Sequence, residues 1–166
     1  MNADFGAIYE ENYTKIFNYV YYRLLNREDT EDVVSDVFFK AMDNIKSFDG
    51  IRANVSTWLF RIAANAVNDF YRTKKKIVQL PLEDVELLAP DTICDDMIRD
   101  DDSRRLRECL MALDDRTRTV IAMRYWGEMS YAAIADLTGL NEKNVSMILS
   151  RGLHKLREFF EKHFSD

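Results

Sequence analysis

Glycine and proline are scarce in this chain, with five and two copies in 166 residues. No alternating β-branched runs stand between them, which argues against a sheet protein with its tight turns. The two cysteines, Cys94 and Cys109, lie far apart with no histidine beside them. That spacing points to neither a zinc site nor a disulfide framework, and a structural role is expected for both. No apolar run approaches the roughly 20 residues that span a bilayer. The start, Met1-Asn2-Ala3-Asp4, lacks the basic and then apolar pattern of a signal peptide. A cytoplasmic protein without membrane insertion is expected. Histidine occurs twice, at His154 and His163, away from any cysteine cluster. With no paired acid and base and no ligand set, neither catalysis nor a metal or other cofactor is expected.

Apolar residues make up 47% and charged residues 31%, ordinary for a folded soluble chain. The net charge of −6 argues at first against nucleic acid, but it is unevenly placed. Residues 77–102 hold nine acidic and one basic side chain, a net −8, whereas residues 1–76 balance at 11 and 11 and residues 103–166 carry 9 acidic and 11 basic. Both prolines, Pro81 and Pro90, fall in that acidic middle, which has no sustained helical period and reads as a flexible linker. An all-α protein is the consequence: two small helical domains, 1–76 and 103–166, joined by residues 77–102.

In residues 5–25, Ile8, Tyr9, Tyr13, Ile16, Phe17, Val20 and Leu24 recur every three or four positions, the mark of one helical face. A second helix, capped by Asp29 or Thr30, carries Val33, Val34, Val37, Phe38, Ala41 and Ile45. Ser47 to Gly50 breaks the pattern and opens a loop to Asn54. A third helix from about Ser56 to Lys74 buries Leu59, Ile62, Ala63, Ala66, Val67 and Phe70, completing a small bundle. After the linker, Leu106, Leu110 and Leu113 form another apolar seam. Asp114 or Asp115 caps a helix that ends at Gly127. Ser130 caps a short helix to Thr138, Gly139 turns the chain, and Asn141 caps a last helix to about Phe160.

Helix, glycine turn and long helix make a helix-turn-helix, whose second helix enters the major groove. With Val145, Leu149, Gly152 and Leu156 facing inward, Lys143, Met147, Ser150 and His154 lie outward, flanked by Asn144, Ser146 and Arg151. These are the candidates for touching DNA; an αα-hairpin packed on another protein is the plainer alternative. The third helix of the first domain has two unlike faces. Opposite its apolar stripe stand Arg61, Asn65, Asn68, Arg72 and then Lys74, Lys75 and Lys76. Cations meet phosphates and amides read bases, although a solvated basic face looks the same. Trp58 sits at the edge of the stripe, as a packing residue or a base-stacking wedge.

Trp58-Leu59, Ile62-Ala63, Asn65, Asp69 and Arg72 match the spacing W-L-x-x-I-A-x-N-x-x-x-D-x-x-R. That pattern resembles the end of region 2 in the extracytoplasmic-function group of the sigma-70 family. Residues 31–41 are similar to the family's polymerase-binding helix, and Leu113 to Tyr125 with the helix-turn-helix looks like region 4. The resemblance implies an RNA polymerase sigma factor that directs promoter recognition, DNA opening and initiation. Its partners would be core polymerase, promoter DNA and an anti-sigma factor, with the free chain monomeric. Asp32, Asp36, Phe39 and Lys40 would dock on the clamp coiled coil of the largest catalytic subunit. The loop of Phe48, Asp49, Gly50, Ile51, Arg52 and Asn54, with Asn65, would accept a base flipped from the minus-10 element. Arg61, Arg72 and Lys74 to Lys76 would hold phosphates of the melting duplex. Region 4 would read the minus-35 element.

The resemblance also routes the linker through the polymerase near its active centre, where negative charge could mimic nucleic acid; a plain tether is the other reading. Departures exist. Many relatives carry Thr where this chain has Asn144, a cation at Ser146, and Arg at Ile148 and Leu153, so region 4 is expected to grip DNA less strongly. Met42 stands where an aromatic is common. A sigma-like decoy that titrates an anti-sigma factor or polymerase, and a stand-alone helix-turn-helix regulator, are the competing functions. No sensor segment beyond Asp166 is expected, and regulation is expected through a partner or through synthesis.

Overall fold

Local capping decides where most elements of this chain begin. The computed structural model describes the backbone of residues 4–51, 54–78 and 101–165 and the side chains of all these except 75–78. In chain order it contains α1 (Phe5–Leu24), α2 (Arg27–Asn44), a 3-10 turn over Ile45–Ser47, α3 (Val55–Val78), α4 (Asp101–Met111), α5 (Asp115–Tyr125), α6 (Tyr131–Thr138) and α7 (Glu142–Phe164). No strand occurs among the described residues. The all-α expectation holds, and helices α3 and α7 each run four residues past their expected ends. Most of the acidic segment, with Pro81, Pro90 and Cys94, lies outside the described residues, as does Arg52.

Asp114, Ser130 and Asn141 cap α5, α6 and α7 as expected, each side-chain oxygen accepting from the backbone N–H three residues on. The cap of α2 differs. Asn26, in extended conformation, accepts from the Asp29 N–H at 2.9 Å. Thr30 is thereby drawn inside the helix, its hydroxyl donating to the Asn26 carbonyl at 2.6 Å. An asparagine cap leaves room for Glu28 and Asp29 in the first turn, where they favour the positive end of the helix dipole.

Helices α1, α2 and α3 enclose Ile16, Val20, Val34, Val37, Leu59, Ala63 and Val67, all buried. Helices α4 to α7 enclose Leu110, Val120, Ile121, Ile134, Val145 and Leu149. These cores are not separate. Tyr19 and Phe60, edge to face at 5.6 Å, extend the first core toward Met123 and Met129, and α1 packs along α5. The apolar period of α1 marked one face, yet Tyr19, Tyr21 and Arg23 on its other side are buried as well.

Gly152 lies where α7 crosses α5. A Cβ there would stand 2.6 Å from Thr117 Cγ2 and 3.0 Å from Ile121 Cδ1. Thr117 cannot swing aside, because its hydroxyl donates to Asp114 Oδ1 at 2.7 Å. Alanine in a helix interior ordinarily stabilises by about 1 kcal/mol over glycine. Here overpacking reverses the sign, and Gly152→Ala should lose about 1–2 kcal/mol in chemical denaturation. A gain would show that the crossing has slack.

Asp114 supplies a pH-dependent share of stability. The Thr117 hydroxyl bonded to it holds its carboxyl below the ordinary value of 3.8. A depressed carboxylate stabilises the fold fully above its unfolded value, and that share is lost as pH falls through the folded one. Asp114→Ala should therefore cost about 1 kcal/mol at neutral pH. The gap from wild type should close below about pH 4, and thermal melts across pH measure it.

Candidate nucleic-acid and polymerase interface

Two helices present polar faces of the kind that meet DNA, one in each half. On α7, Lys143, Asn144, Ser146, Met147, Ser150, Arg151 and His154 are all exposed, opposite the buried Val145, Leu149 and Gly152 and the half-buried Leu156. The turn before it carries Gly139 at φ 72°, a left-handed conformation that glycine adopts without strain. This places every recognition-helix candidate on one accessible stripe. His154 Nε2 lies 3.1 Å from Glu158 Oε1, so its ring is turned along the helix rather than outward alone.

On α3, Arg61, Asn65, Asn68, Arg72 and Lys74 are exposed, and the backbone at Lys75 and Lys76 continues the helix; those two side chains are outside the described residues. Asn54 caps α3, accepting from the Thr57 N–H at 2.7 Å. Asp49 Oδ1 accepts from the Ile51 N–H at 3.0 Å, a tight turn that leaves Ile51 95% exposed and Gly50 open to solvent. Phe48 and Trp58, both half-buried, meet ring to ring at 5.0 Å with a 38° tilt and tie this loop to the helix. Trp58 is thus a packing residue in this conformation, with Asn65 exposed two turns further along α3.

Several α3 cations are engaged. Arg72 pairs with Asp69 at 3.3 Å, and Lys74 lies 3.9 Å from Asp29 and over the Phe70 ring. Arg61 reaches the other half of the molecule, donating to Asp136 of α6 at 2.7 Å. Asn68 and Arg72 line a cleft of about 570 Å³ with Tyr71, Asp115 and Arg118. Sequence reading missed this neighbourhood. Its available signal was Phe60 and Ala64, apolar at i, i+4 but outside the main stripe of α3, and both buried.

On α2, Asp32, Asp36 and Phe39 are exposed, and Phe39 at 60% with Met42 at 48% makes an apolar spot ringed by charge. Lys40 Nζ bonds Asp36 at 2.8 Å; that hydrogen bond pushes the ammonium above its ordinary range and keeps it charged. An exposed Phe flanked by paired charges is the composition of a protein-docking surface.

Cys109 is buried, and desolvation pushes its thiol up, away from the reactive thiolate. Among the described residues no cluster of His, Cys, Asp and Glu is arranged to hold a metal ion, and no helix is long and apolar enough to cross a membrane.

Known protein families match both halves of the chain. The model of Sigma-70 region 2 matches residues 8–77, and that of Sigma-70, region 4 matches residues 103–156. The extracytoplasmic-function (ECF) RNA polymerase sigma factor SigW of Bacillus subtilis (strain 168) is 31% identical over 166 residues, covering 94% of this chain and 87% of that protein. The chain belongs to the sigma-70 family, in its extracytoplasmic-function group. It is an RNA polymerase sigma factor. The RNA polymerase sigma factor YlaC of the same organism is 29% identical over 158 residues, covering 93% of this sigma factor and 91% of its relative. The fold is shared with CnrH, solved in complex with the cytosolic domain of CnrY, at a TM-score of 0.69 and 24% identity over 96% of this chain and 88% of that one. It is shared too with the sigma factor RpoE of Bartonella quintana, solved with the anti-sigma factor NepR, at 0.71 and 21% identity over 92% and 95%. Sigma factors are regulatory proteins rather than catalysts, in keeping with the chemistry of these surfaces.

Proposed function

We propose that residues 1–76 act as the unit that binds polymerase and the minus-10 element, and residues 103–166 as the reader of the minus-35 element, with 77–102 joining them. The observation that carries this division is the pair of exposed polar helix faces, α3 in one half and α7 in the other, each backed by its own buried stripe. Core polymerase docks on Asp32, Asp36, Phe39 and Lys40. Burial of Phe39 supplies area at the centre of that contact, and the surrounding charges set its register. The protein works in the cytoplasm, as its partners do, and an anti-sigma factor is the class of protein that would hold it inactive.

In the first half, Asn65 offers one donor and one acceptor on the same amide, enough to fix a base edge in a pocket walled by the Phe48 to Asn54 loop. Arg61, Arg72 and Lys74 to Lys76 neutralise phosphates beside it. In the second half, Asn144 and Ser146 sit in the first two turns of α7, the part of a recognition helix that reaches base edges, while Lys143 and Arg151 meet the backbone. Neither a decoy nor a stand-alone regulator is favoured by any contact of these surfaces.

Transcription in vitro with core polymerase and genomic DNA tests the reading as a whole. Defined start sites sharing two upstream motifs are the expected result; polymerase binding without initiation would favour the decoy. Asn65→Ala should reduce initiation about tenfold or more, the worth of one base-reading contact of about 1–3 kcal/mol, with polymerase affinity unchanged. Equal loss of both would sink the base-reading role.

A further inference from the structure

Where α1 packs along α5 with α3 beside them, the seam between the halves holds more positive charge than it neutralises. The Arg23 side chain of α1 is only 3% exposed, and the carboxylate it faces, Asp115, stands 3.9 Å away. Arg118 of α5, 16% exposed, lies 3.8 Å from that same carboxylate. Their other bonds are long: Arg118 Nη1 donates to the Leu110 carbonyl at 3.4 Å, and Arg23 Nη1 to the Tyr19 hydroxyl at 3.3 Å. The Nε of each is buried and has no partner among the described residues. Two guanidiniums thus share one carboxylate, itself 61% exposed, and neither holds it closely. Charges drawn out of water are costly unless matched, and a bound anion removes that cost.

An open cleft leads to them. The space of about 570 Å³ noted above is bordered by Asn68, Tyr71 and Arg72 on α3 and by Asp115 and Arg118 on α5. A second, of about 240 Å³, shares Asn68 and Asp115 with it and reaches Arg23 and Arg116. Among the described residues that line the two, four are arginines and one is acidic, in a chain whose net charge is −6. Composition does not explain such a concentration of guanidinium. The pair Arg72 makes with Asp69 is exposed on both sides and worth little, so this fork is able to turn inward. Tyr71 ties the floor together, its hydroxyl donating to the Arg23 carbonyl at 2.8 Å and its ring lying 5.8 Å from that guanidinium. Burial pushes its phenol above the ordinary value of 10.0, so it stays neutral and brings no negative charge.

We propose that this cleft is a binding site for a small phosphate-bearing anion, held by the guanidinium forks of Arg118 and Arg72 and the Asn68 amide, with Arg23 behind them as buried charge. Volume sets the scale, since clefts of about 300–1,000 Å³ enclose small-molecule ligands. Geometry sets the class. An arginine fork meets phosphate oxygens two at a time, and a phosphate brings up to two charges to a site short of them. Arg72 also serves in the DNA assignment of α3, but Arg23, Arg118 and Asp115 do not, so the two readings can fail separately.

The test uses the full chain without polymerase and sodium pyrophosphate as the probe, by titration calorimetry and thermal melting at matched ionic strength. Wild type should bind one equivalent and melt higher with it. Asn68→Asp, at an exposed position, puts a carboxylate into the cleft and should weaken binding about tenfold. Arg118→Gln should weaken it as much. Asp115→Asn should do the reverse: with the competing carboxylate gone, pyrophosphate should bind about tenfold more tightly. It should also raise the melting temperature of this less stable variant by more than it raises that of wild type. A variant that merely folds badly gains no affinity.

No binding, or equal stabilisation of wild type, Asn68→Asp and Asp115→Asn, would overturn the proposal, since the anion would then act on the surface at large. Tighter binding of citrate than of pyrophosphate would overturn the phosphate class. A single-stranded oligonucleotide distinguishes the remaining source of phosphate. If its binding follows Arg118→Gln and Asp115→Asn while pyrophosphate does not bind, the small-ligand site is gone and these guanidiniums belong to nucleic acid.

Discussion

Helices α1 and α3 must each bury two faces, and the arrangement of the whole molecule depends on that constraint. A helix in a three-helix bundle needs one apolar stripe. α1 has Ile16 and Val20 on that stripe and Tyr19, Tyr22 and Arg23 on the side that meets α5. α3 has Leu59, Ala63 and Val67 in the first core, and Phe60 and Ala64 border clefts shared with Thr119, Val120, Gly127 and Met129 of the second half. Leaving the second faces bare would expose aromatic area that water does not tolerate well, so the halves come together.

The same seam contains an opposing term. Arg23 is 2% exposed, yet its partners are few: the Tyr19 hydroxyl at 3.3 Å, Asp115 at 3.9 Å and the Tyr71 ring at 5.8 Å, with its Nε unpartnered. A buried guanidinium with partial compensation costs several kcal/mol in desolvation, which weakens the seam from within. Burial also pushes the Tyr19 phenol above its ordinary range, so it remains a neutral acceptor and brings no counter-charge. The apolar core of α1, α2 and α3 has no such term. The packing of α1 on α5 is therefore softer than its packing on α2 and α3.

Much of this was legible in the sequence because it is local. The caps at Asp114, Ser130 and Asn141, the turn at Gly139 and the inward set Val145, Leu149 and Gly152 depend on residues within one or two turns. The start of α2 was misplaced because three residues able to cap a helix, Asn26, Asp29 and Thr30, stand within five positions, and the choice among them turns on which side chains the first turn must accommodate. The exposed candidates on α3 and α7 were also placed on their faces by periodicity alone. The seam was illegible for a different reason. Tyr22 to Trp126 and Arg61 to Asp136 join residues 104 and 75 positions apart, and nothing in either neighbourhood specifies the other. Phe60 and Ala64 read as ordinary variation on an amphipathic helix, although both are buried.

The uneven charge of α3 and α7 gives the proposed division of labour its physical sense. Among the outward candidates on α7 only Lys143 and Arg151 are permanent cations, and His154 is drawn to Glu158. Neutral side chains fill the rest of that stripe, of which Asn144 suits adenine and Met147 the methyl of thymine. As the proposed reader, such a helix would discriminate without gripping. α3, through the lysines near its end, carries five cations from Arg61 to Lys76, so on that assignment phosphate affinity would fall mainly to the first half. On the proposed assignment, with that half bound, the connection to α7 would keep it near the duplex at an effective concentration of about millimolar, enough for a weak reader to select among sites. Weak grip in the second half is then compatible with specific promoter choice, provided the first half and the polymerase supply the anchorage.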